Sequence, residues 1–413
     1  MPTPCGNRSG LALICVLLFL ITPRLSPQTV KFSSPVAIPF PNQASYEPLT
    51  LTTGDVNGDG NTDLLLFSQT LDSALPYNTQ LTLLTGDGTG TFTFTTLALT
   101  PHPFSQFFLT DVNSDGKPDL LYVYGGYNTP PYPAYQGNVE VWLGDGKGGF
   151  AKAHSYPLPV GTITAELGDF NHDGKNDLVV LTANSVGGTV TGSDTYIDIF
   201  RNEGDGTLLN TQSIHHAHAY ELLGPAGDYN GDGNQDLILI ASSNDAFTVL
   251  EGKGNGTFTI PEKVTYTFAG QLINSIAATD LNGDGKADLL VSLWPNTTAY
   301  PWRIATLLAK QTSGFYWAGS RNVAAGLTYL TLADLDGDGK LDDLNFNIDS
   351  GAVRVFPGEG GLSFGPAQYI YNGHWGGVAL APLKTGELPS LFFLGTNGIV
   401  GPGYLGVLPN ISQ

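Results

Sequence analysis

Residues 55–63 read Asp-Val-Asn-Gly-Asp-Gly-Asn-Thr-Asp. The same pattern, Asp-x-Asn/Asp-x-Asp-Gly-x-x-Asp, begins again at Asp111, Asp169, Asp228, Asp280 and Asp334. Successive copies lie 56, 58, 59, 52 and 54 residues apart. A near-constant period of that size marks units that bury their apolar faces only against one another, as in a propeller or an array. Oxygen-bearing side chains at alternate positions of a short loop are what a hard cation requires.

Working outward from the first copy, PLTLTT leads into the loop and Asp63 opens DLLLF. A third apolar run from Leu81 (LTLLTG) turns through GDGTGTF into FTFTTLAL. The later units repeat the third run as VEVWLG, IDIF, FTVLEG, RIATLLA and VRVFPG, and the turn as GDGKGGF, EGDGTL, GKGNGTF and GEGGLSF. Four short strands joined by hairpins predict a propeller blade. A seventh blade is split between the chain ends. Residues 377–394 align with the sixth loop and its flanks, but Pro382, Lys384 and Glu387 replace the acidic pattern. GYLGVLPN from Gly403 reads as its third strand, and VKFSSPVAIPF at 30–40 as its fourth. An N-terminal strand in that place closes the ring and removes an open edge. The expected fold is all-β: one seven-bladed propeller of four-stranded blades over residues 29–413.

Each loop offers side-chain oxygens at positions 1, 3 and 5, a backbone carbonyl at 7 and a bidentate carboxylate at 9. The candidate ligands are Asp55, Asn57, Asp59, Asn61 and Asp63 in the first loop, and Asp111, Asn113, Asp115, Lys117 and Asp119 in the second. They are Asp169, Asn171, Asp173, Lys175 and Asp177 in the third, and Asp228, Asn230, Asp232, Asn234 and Asp236 in the fourth. The fifth has Asp280, Asn282, Asp284, Lys286 and Asp288, and the sixth Asp334, Asp336, Asp338, Lys340 and Asp342. Either Asp342 or the adjacent Asp343 can supply the ninth ligand of the last loop. The lysines at position 7 can contribute only their carbonyls. Position 2 is always apolar or aromatic, a peg for the core. All-oxygen ligation with several carboxylates selects Ca²⁺, up to six ions, over zinc or copper.

The net charge of −20 on 413 residues follows from the same loops. Their nineteen aspartates and four lysines account for fifteen of the negative charges. No basic stripe exists to neutralise phosphates, which excludes nucleic acid as a partner class. Arg8 followed by the apolar run Leu11–Ile21 reads as a secretory signal within residues 1–28, with an uncleaved anchor as the alternative. The run is shorter than the roughly 20 residues of a membrane span. Both cysteines, Cys5 and Cys15, fall in this segment, so the mature chain has neither disulfides nor thiol chemistry.

The repeats resemble the FG-GAP/VCBS family and the calcium-binding blades of the integrin α-subunit N-terminal propeller. The likeness rests on the loops, the apolar strands after them and the Gly-x-Gly-x-Phe turns. Gly-Ala-Pro is missing after the second strand, so the bacterial-style VCBS type fits better than the integrin type. The resemblance implies structural calcium loops in a group that spans adhesion, carbohydrate binding and unassigned secreted proteins, so fold alone does not give function.

Blade topology puts the cation loops and glycine turns on one face and the longer loops on the other. That opposite face gathers Tyr127, Tyr132 and Tyr135 from the 125–138 insertion, Trp294 and Trp302 from WPNTTAYPW, and Trp375 from GHWGG. No Gly-x-Ser-x-Gly, His-Glu-x-x-His or phosphate loop is present. The expectation is a secreted or periplasmic monomer, a non-catalytic module that binds an extracellular glycan or protein through this face. The alternative is a polysaccharide-degrading lyase or hydrolase on the same fold.

Overall fold

The computed structural model describes residues 29–40, 46–70, 79–99, 102, 105–126, 136–159, 161–186, 189–216, 220–259, 266–296, 300–310, 314–326, 328–347, 350–372, 375–396 and 403–412. The signal-like segment and Tyr127, Tyr132 and Tyr135 lie outside them. Every regular element among the described residues is a strand. No helix there is long and apolar enough to cross a membrane.

The strands form seven antiparallel blades in a ring. Blade 1 consists of Tyr46–Gly54, Asp63–Thr70, Thr79–Gly86 and Phe92–Thr96, paired in chain order. Blades 2, 3 and 6 repeat this from Ser105 to Leu158, Thr162 to His216 and Thr328 to Asn372. Blade 4 starts at Tyr220, and its outer position is shared by two short pieces, Phe258–Thr259 and Tyr266–Thr267. Blade 5 consists of Gln271–Thr279, Asp288–Pro295, Arg303–Ala309 and Phe315–Asn322. Blade 7 has Trp375–Ala381, Ser390–Thr396 and Gly403–Leu408. Its outer strand is Val36–Pro39, in the register Val36 to Val407 and Pro39 to Tyr404. The Ile411 N–H donating to the Lys31 carbonyl extends this closure. The split seventh blade read from the sequence is thus the observed one.

The cores lie between blades. Outside blade 6 the second strands are mainly apolar because both of their faces are covered: Leu64 and Leu66 pack toward blade 7, Leu65 and Phe67 toward blade 2. The seam between blades 4 and 5 is built on Tyr229, Phe247, Leu289, Leu307 and Phe315, and that between 6 and 7 on Leu344, Val353, Phe393 and Leu408. The position-2 pegs complete these seams. Val56, Val112, Phe170, Tyr229, Leu281 and Leu335 are all buried, each against the following blade.

The seam between blades 5 and 6 is different. Its apolar cluster is reduced to Leu281, Leu290, Ile304 and Leu308. Along the second strand of blade 6, Asp343, Asn345 and Asn347 alternate on the side opposite Leu344 and Phe346, and all three are buried. Arg321 reaches in from blade 5, pairs with Asp343 and lies over the rings of Phe356 and Phe364. This ion pair explains the doubled aspartate: Asp342 faces the cation loop and Asp343 the seam.

A half-buried acid, Glu166, lies between blades 3 and 4. Burial pushes the Glu166 carboxyl up to about 7, opposed by a hydrogen bond from the Ala226 N–H. Across the seam stands the Tyr229 hydroxyl, which donates to the Pro225 carbonyl at 2.6 Å. A carboxyl whose folded pKa exceeds its ordinary value of 4.5 holds its proton more tightly in the native state. Stability therefore falls as pH rises from 4.5 to about 7, and the full penalty stands above that window. Glu166→Gln is expected to stabilise the protein by about 2–3 kcal/mol at pH 8 and by little at pH 4. Urea midpoints at the two pH values check it, and an equal gain at both would refute the assignment.

Candidate functional site

Two regions concentrate chemistry, on opposite faces of the ring. The first is the rim of acidic loops. Each loop turns through a glycine in the left-handed region at position 6, with φ between 79° at Gly116 and 86° at Gly233. Position 4 is also left-handed, and there Ser114 (57°) and His172 (61°) stand where the other loops carry glycine. Asp55 accepts from the N–H groups of Gly58 (2.7 Å), Asp59 (3.2 Å) and Gly60 (2.8 Å). Asn57 Oδ1 accepts from Asp59, and Asp59 Oδ1 from Asn61. The other loops repeat this web of side-chain-to-backbone bonds, for instance Gly174 to Asp169 and Gly285 to Asp280. The web holds the carboxylates of positions 1, 3 and 5 side by side.

The ninth residue is placed differently from the others. Asp63 is fully buried, with one oxygen accepting from the Val56 N–H at 2.9 Å and the other from the Gly86 N–H at 2.8 Å. Asp119, Asp177, Asp236, Asp288 and Asp342 make the same pair of bonds, to the peg residue and to the end of the third strand. Burial pushes Asp177 and Asp342 up to about 6 and Asp236 to about 7, with the N–H donors pulling the other way. In the cation-free pattern of blade 7, Ser390 takes this place and its hydroxyl accepts from the Asn410 N–H at 3.0 Å. The ninth carboxylate is therefore a staple between loop and sheet. Each oxygen keeps a second lone pair, so the staple is compatible with ligation.

The donor chemistry fits a hard divalent cation. In the sixth loop, oxygens of Asp334, Asp336 and Asp338 converge within 4.8 Å of one another. Burial, then repulsion by Asp338 and Asp334, push the Asp336 carboxyl up. A cation among them would relieve both effects. The lysines at position 7 fold back: Lys117, Lys175 and Lys286 reach the position-5 carboxylates Asp115, Asp173 and Asp284 at 3.0, 2.6 and 3.4 Å, and Lys340 reaches Asp338 likewise. Motif reading assigned these lysines only a carbonyl, so their charge neutralisation was missed.

Neighbouring loops are tied together. His172 of the third loop is exposed, yet its Nε2 lies 3.0 Å from Asn234 Oδ1 of the fourth. The Gly206 and Gly256 N–H groups donate to the peg carbonyls of Val112 and Phe170 in the preceding blades. Between blades 1 and 7 the Thr62 N–H donates to the Leu383 carbonyl and the Thr385 N–H to the Gly60 carbonyl.

The second region is the far end of blade 5. Registers Gln271 to Pro295, Leu293 to Arg303 and Arg303 to Asn322 put these residues at the end of the sheet opposite the Asp280 loop. Trp294 and Trp302, both half-buried, stand with ring centroids 6.2 Å apart. The Arg303 guanidinium lies 4.7 Å over the Trp317 ring and 5.8 Å from that of Tyr300. Fully buried Gln271 braces the corner: its Nε2 donates to the Pro301 carbonyl at 3.2 Å and its Oε1 accepts from Arg303. Trp317 and Tyr300 are exposed. Among the described residues the indole N–H groups of Trp294, Trp302 and Trp317 have no hydrogen-bond acceptor. The structure thus brings two of the sequence candidates together and adds Tyr300, Arg303 and Trp317. Trp375 opens blade 7 opposite Gly395, two blades away.

Glu140, the buried acid of blade 2, accepts from Tyr124, Trp142 and Lys152. Apart from Asp334, Asp336 and Asp338, no group of histidines, cysteines or acids with metal-binding spacing occurs among the described residues.

A family model described as FG-GAP-like repeat matches residues 55–122, 111–180 and 228–291, each match beginning on the first aspartate of a loop. A T-cell immunomodulatory protein homolog of Plasmodium falciparum is 38% identical over 79 residues, 18% of this chain. Those residues span only 10% of that relative's length. A crystal structure of a protein from Lactobacillus plantarum aligns with 86% of this chain and 90% of its own, at 16% identity and a TM-score of 0.47.

Proposed function

We propose that this FG-GAP-repeat propeller is a secreted, calcium-stabilised binding module whose ligand is an extracellular glycan. The calcium loops form its frame, and the far end of blade 5 forms its recognition surface. The FG-GAP-type propeller fold suggests a binding or adhesion type of module, which supports this class. The observation that carries the reading further is the Trp294–Trp302 pair with unbonded indole N–H groups. Aromatic faces flanked by a few free donors suit a flat, hydroxyl-rich ligand.

In the loops, Asp, Asn and backbone oxygens at positions 1, 3, 5, 7 and 9 would hold Ca²⁺, which supplies charge neutralisation and no chemistry of its own. Placing calcium on one face and recognition on the other lets the ligand be exchanged without disturbing the frame.

A glycan array probed with the folded protein tests the surface. Trp302→Ala and Trp294→Ala are each expected to weaken binding at least about tenfold, since aromatic anchors dominate such interfaces. Their thermal midpoints should remain close to that of the parent, because both side chains lie outside the seam cores. Glycan binding that ignores both changes would remove blade 5 as the site.

A further inference from the structure

We propose that the blade 5 site selects acidic glycans, with Arg303 as the anchor for a sugar carboxylate. The proposal rests on the reading of this surface as a glycan site and adds the charge of the ligand. Arg303 is a half-buried cation held by an amide and by aromatic rings. Arg201 pairs with Glu203 and Arg321 with Asp343. Among the described residues Arg303 and Arg354 have no carboxylate partner, and of the two only Arg303 stands at the end of blade 5 beside the tryptophans. Its neighbours are the Gln271 amide and the rings of Tyr300 and Trp317, and its Nε–H is buried without an acceptor.

A half-buried guanidinium without a counter-ion is a standing cost that an arriving anion relieves. Gln271 and the two rings fix its plane. A fixed guanidinium plane suits a carboxylate, which it can meet with parallel N–H groups. The surroundings say what carries that carboxylate. Three rings (Trp294, Tyr300 and Trp302) lie at this blade end, and Trp317 stands further along the outer strand opposite Leu307 yet within reach of the guanidinium. The three indole N–H groups have no acceptor among the described residues, and the Gln271 amide is already used. Such a surface offers ring faces and donors for hydroxyls. It offers little for the amide edges of a peptide, so a uronate-bearing glycan fits better than an acidic peptide.

The experiment is isothermal titration of the calcium-loaded protein with trigalacturonate, its methyl ester, an unrelated neutral trisaccharide and a hexaglutamate peptide. The ester keeps the sugar rings and removes the charge. The acid is expected to bind about tenfold or more tighter than the ester, because a charge-assisted bond is lost. In Arg303→Gln the two should bind alike, whereas Trp302→Ala should weaken both. A thermal scan of Arg303→Gln checks that it is folded, and the acid–ester comparison on the parent needs no variant. Equal binding of acid and ester, with sensitivity to Trp302→Ala, would overturn the acidic selectivity and leave the glycan surface standing. Preference for hexaglutamate would overturn both. A preference for the acid that survives Arg303→Gln would also overturn the proposal, since it would place the carboxylate on loop-bound calcium.

Discussion

Chelation should lower the thermal midpoint by more than about 10 °C, because ions bound only by the folded state stabilise it by mass action. A single site at a hundredfold excess of free ion over its dissociation constant contributes about 2.7 kcal/mol. Six such loops, tied to one another by the Gly206, Gly256, Thr62 and His172 bonds, would lose their contributions together. The web of Asp-to-backbone bonds survives chelation, but it then holds adjacent carboxylates at short range with no countercharge. Loops 2, 3, 5 and 6 have a partial substitute in the lysine at position 7, whereas loops 1 and 4 carry Asn61 and Asn234 there. Calorimetry in EDTA and in millimolar calcium measures the difference, and magnesium in place of calcium should restore little. A midpoint indifferent to EDTA would remove structural calcium from this protein.

Asp177→Ala should destabilise the protein by about 3–5 kcal/mol whether or not calcium is present. The substitution leaves two buried N–H groups without acceptors, those of Phe170 and Asn202, at about 1–3 kcal/mol each. It also opens a small cavity where the carboxylate stood. A residue acting only as a ligand would show a different pattern, with its loss felt in calcium and silent in EDTA. Asp59→Asn should behave in that second way, since an amide oxygen still accepts from the Asn61 N–H while the ligand charge is gone. Asp177→Ser should recover part of the loss, as Ser390 does the same work in blade 7. Urea unfolding of the three variants with and without EDTA separates the roles. If Asp177→Ala matches the parent in EDTA, the staple is not the source of its stability.

These two results bear on how one residue type serves two ends within nine positions. The exposed aspartates at positions 1, 3 and 5 gather charge for an ion, whereas the buried one at position 9 fastens the loop to the third strand. A motif match treats all of them as ligands. It could not reveal the staple, because the Gly86, Asn202 and Ala309 donors lie 23, 25 and 21 residues beyond their acceptors.

The sequence by itself determined the ring. A repeated loop of fixed grammar, a four-strand rhythm and matching half-blades at the two ends leave one way to bury every apolar face. That information is local and periodic, so it survives reading in one dimension. Only the tertiary structure decided where Asp343 points, because Arg321 approaches it from another blade. Only the tertiary structure brought Gln271, Trp294, Trp302 and Arg303 to one end of blade 5, one from each of its first three strands and Trp302 from the corner, with the Arg303 guanidinium reaching along the sheet to Trp317 of the fourth. Antiparallel pairing carries their strand ends to one place, and a guanidinium without a carboxylate becomes visible only when its neighbours in space are known.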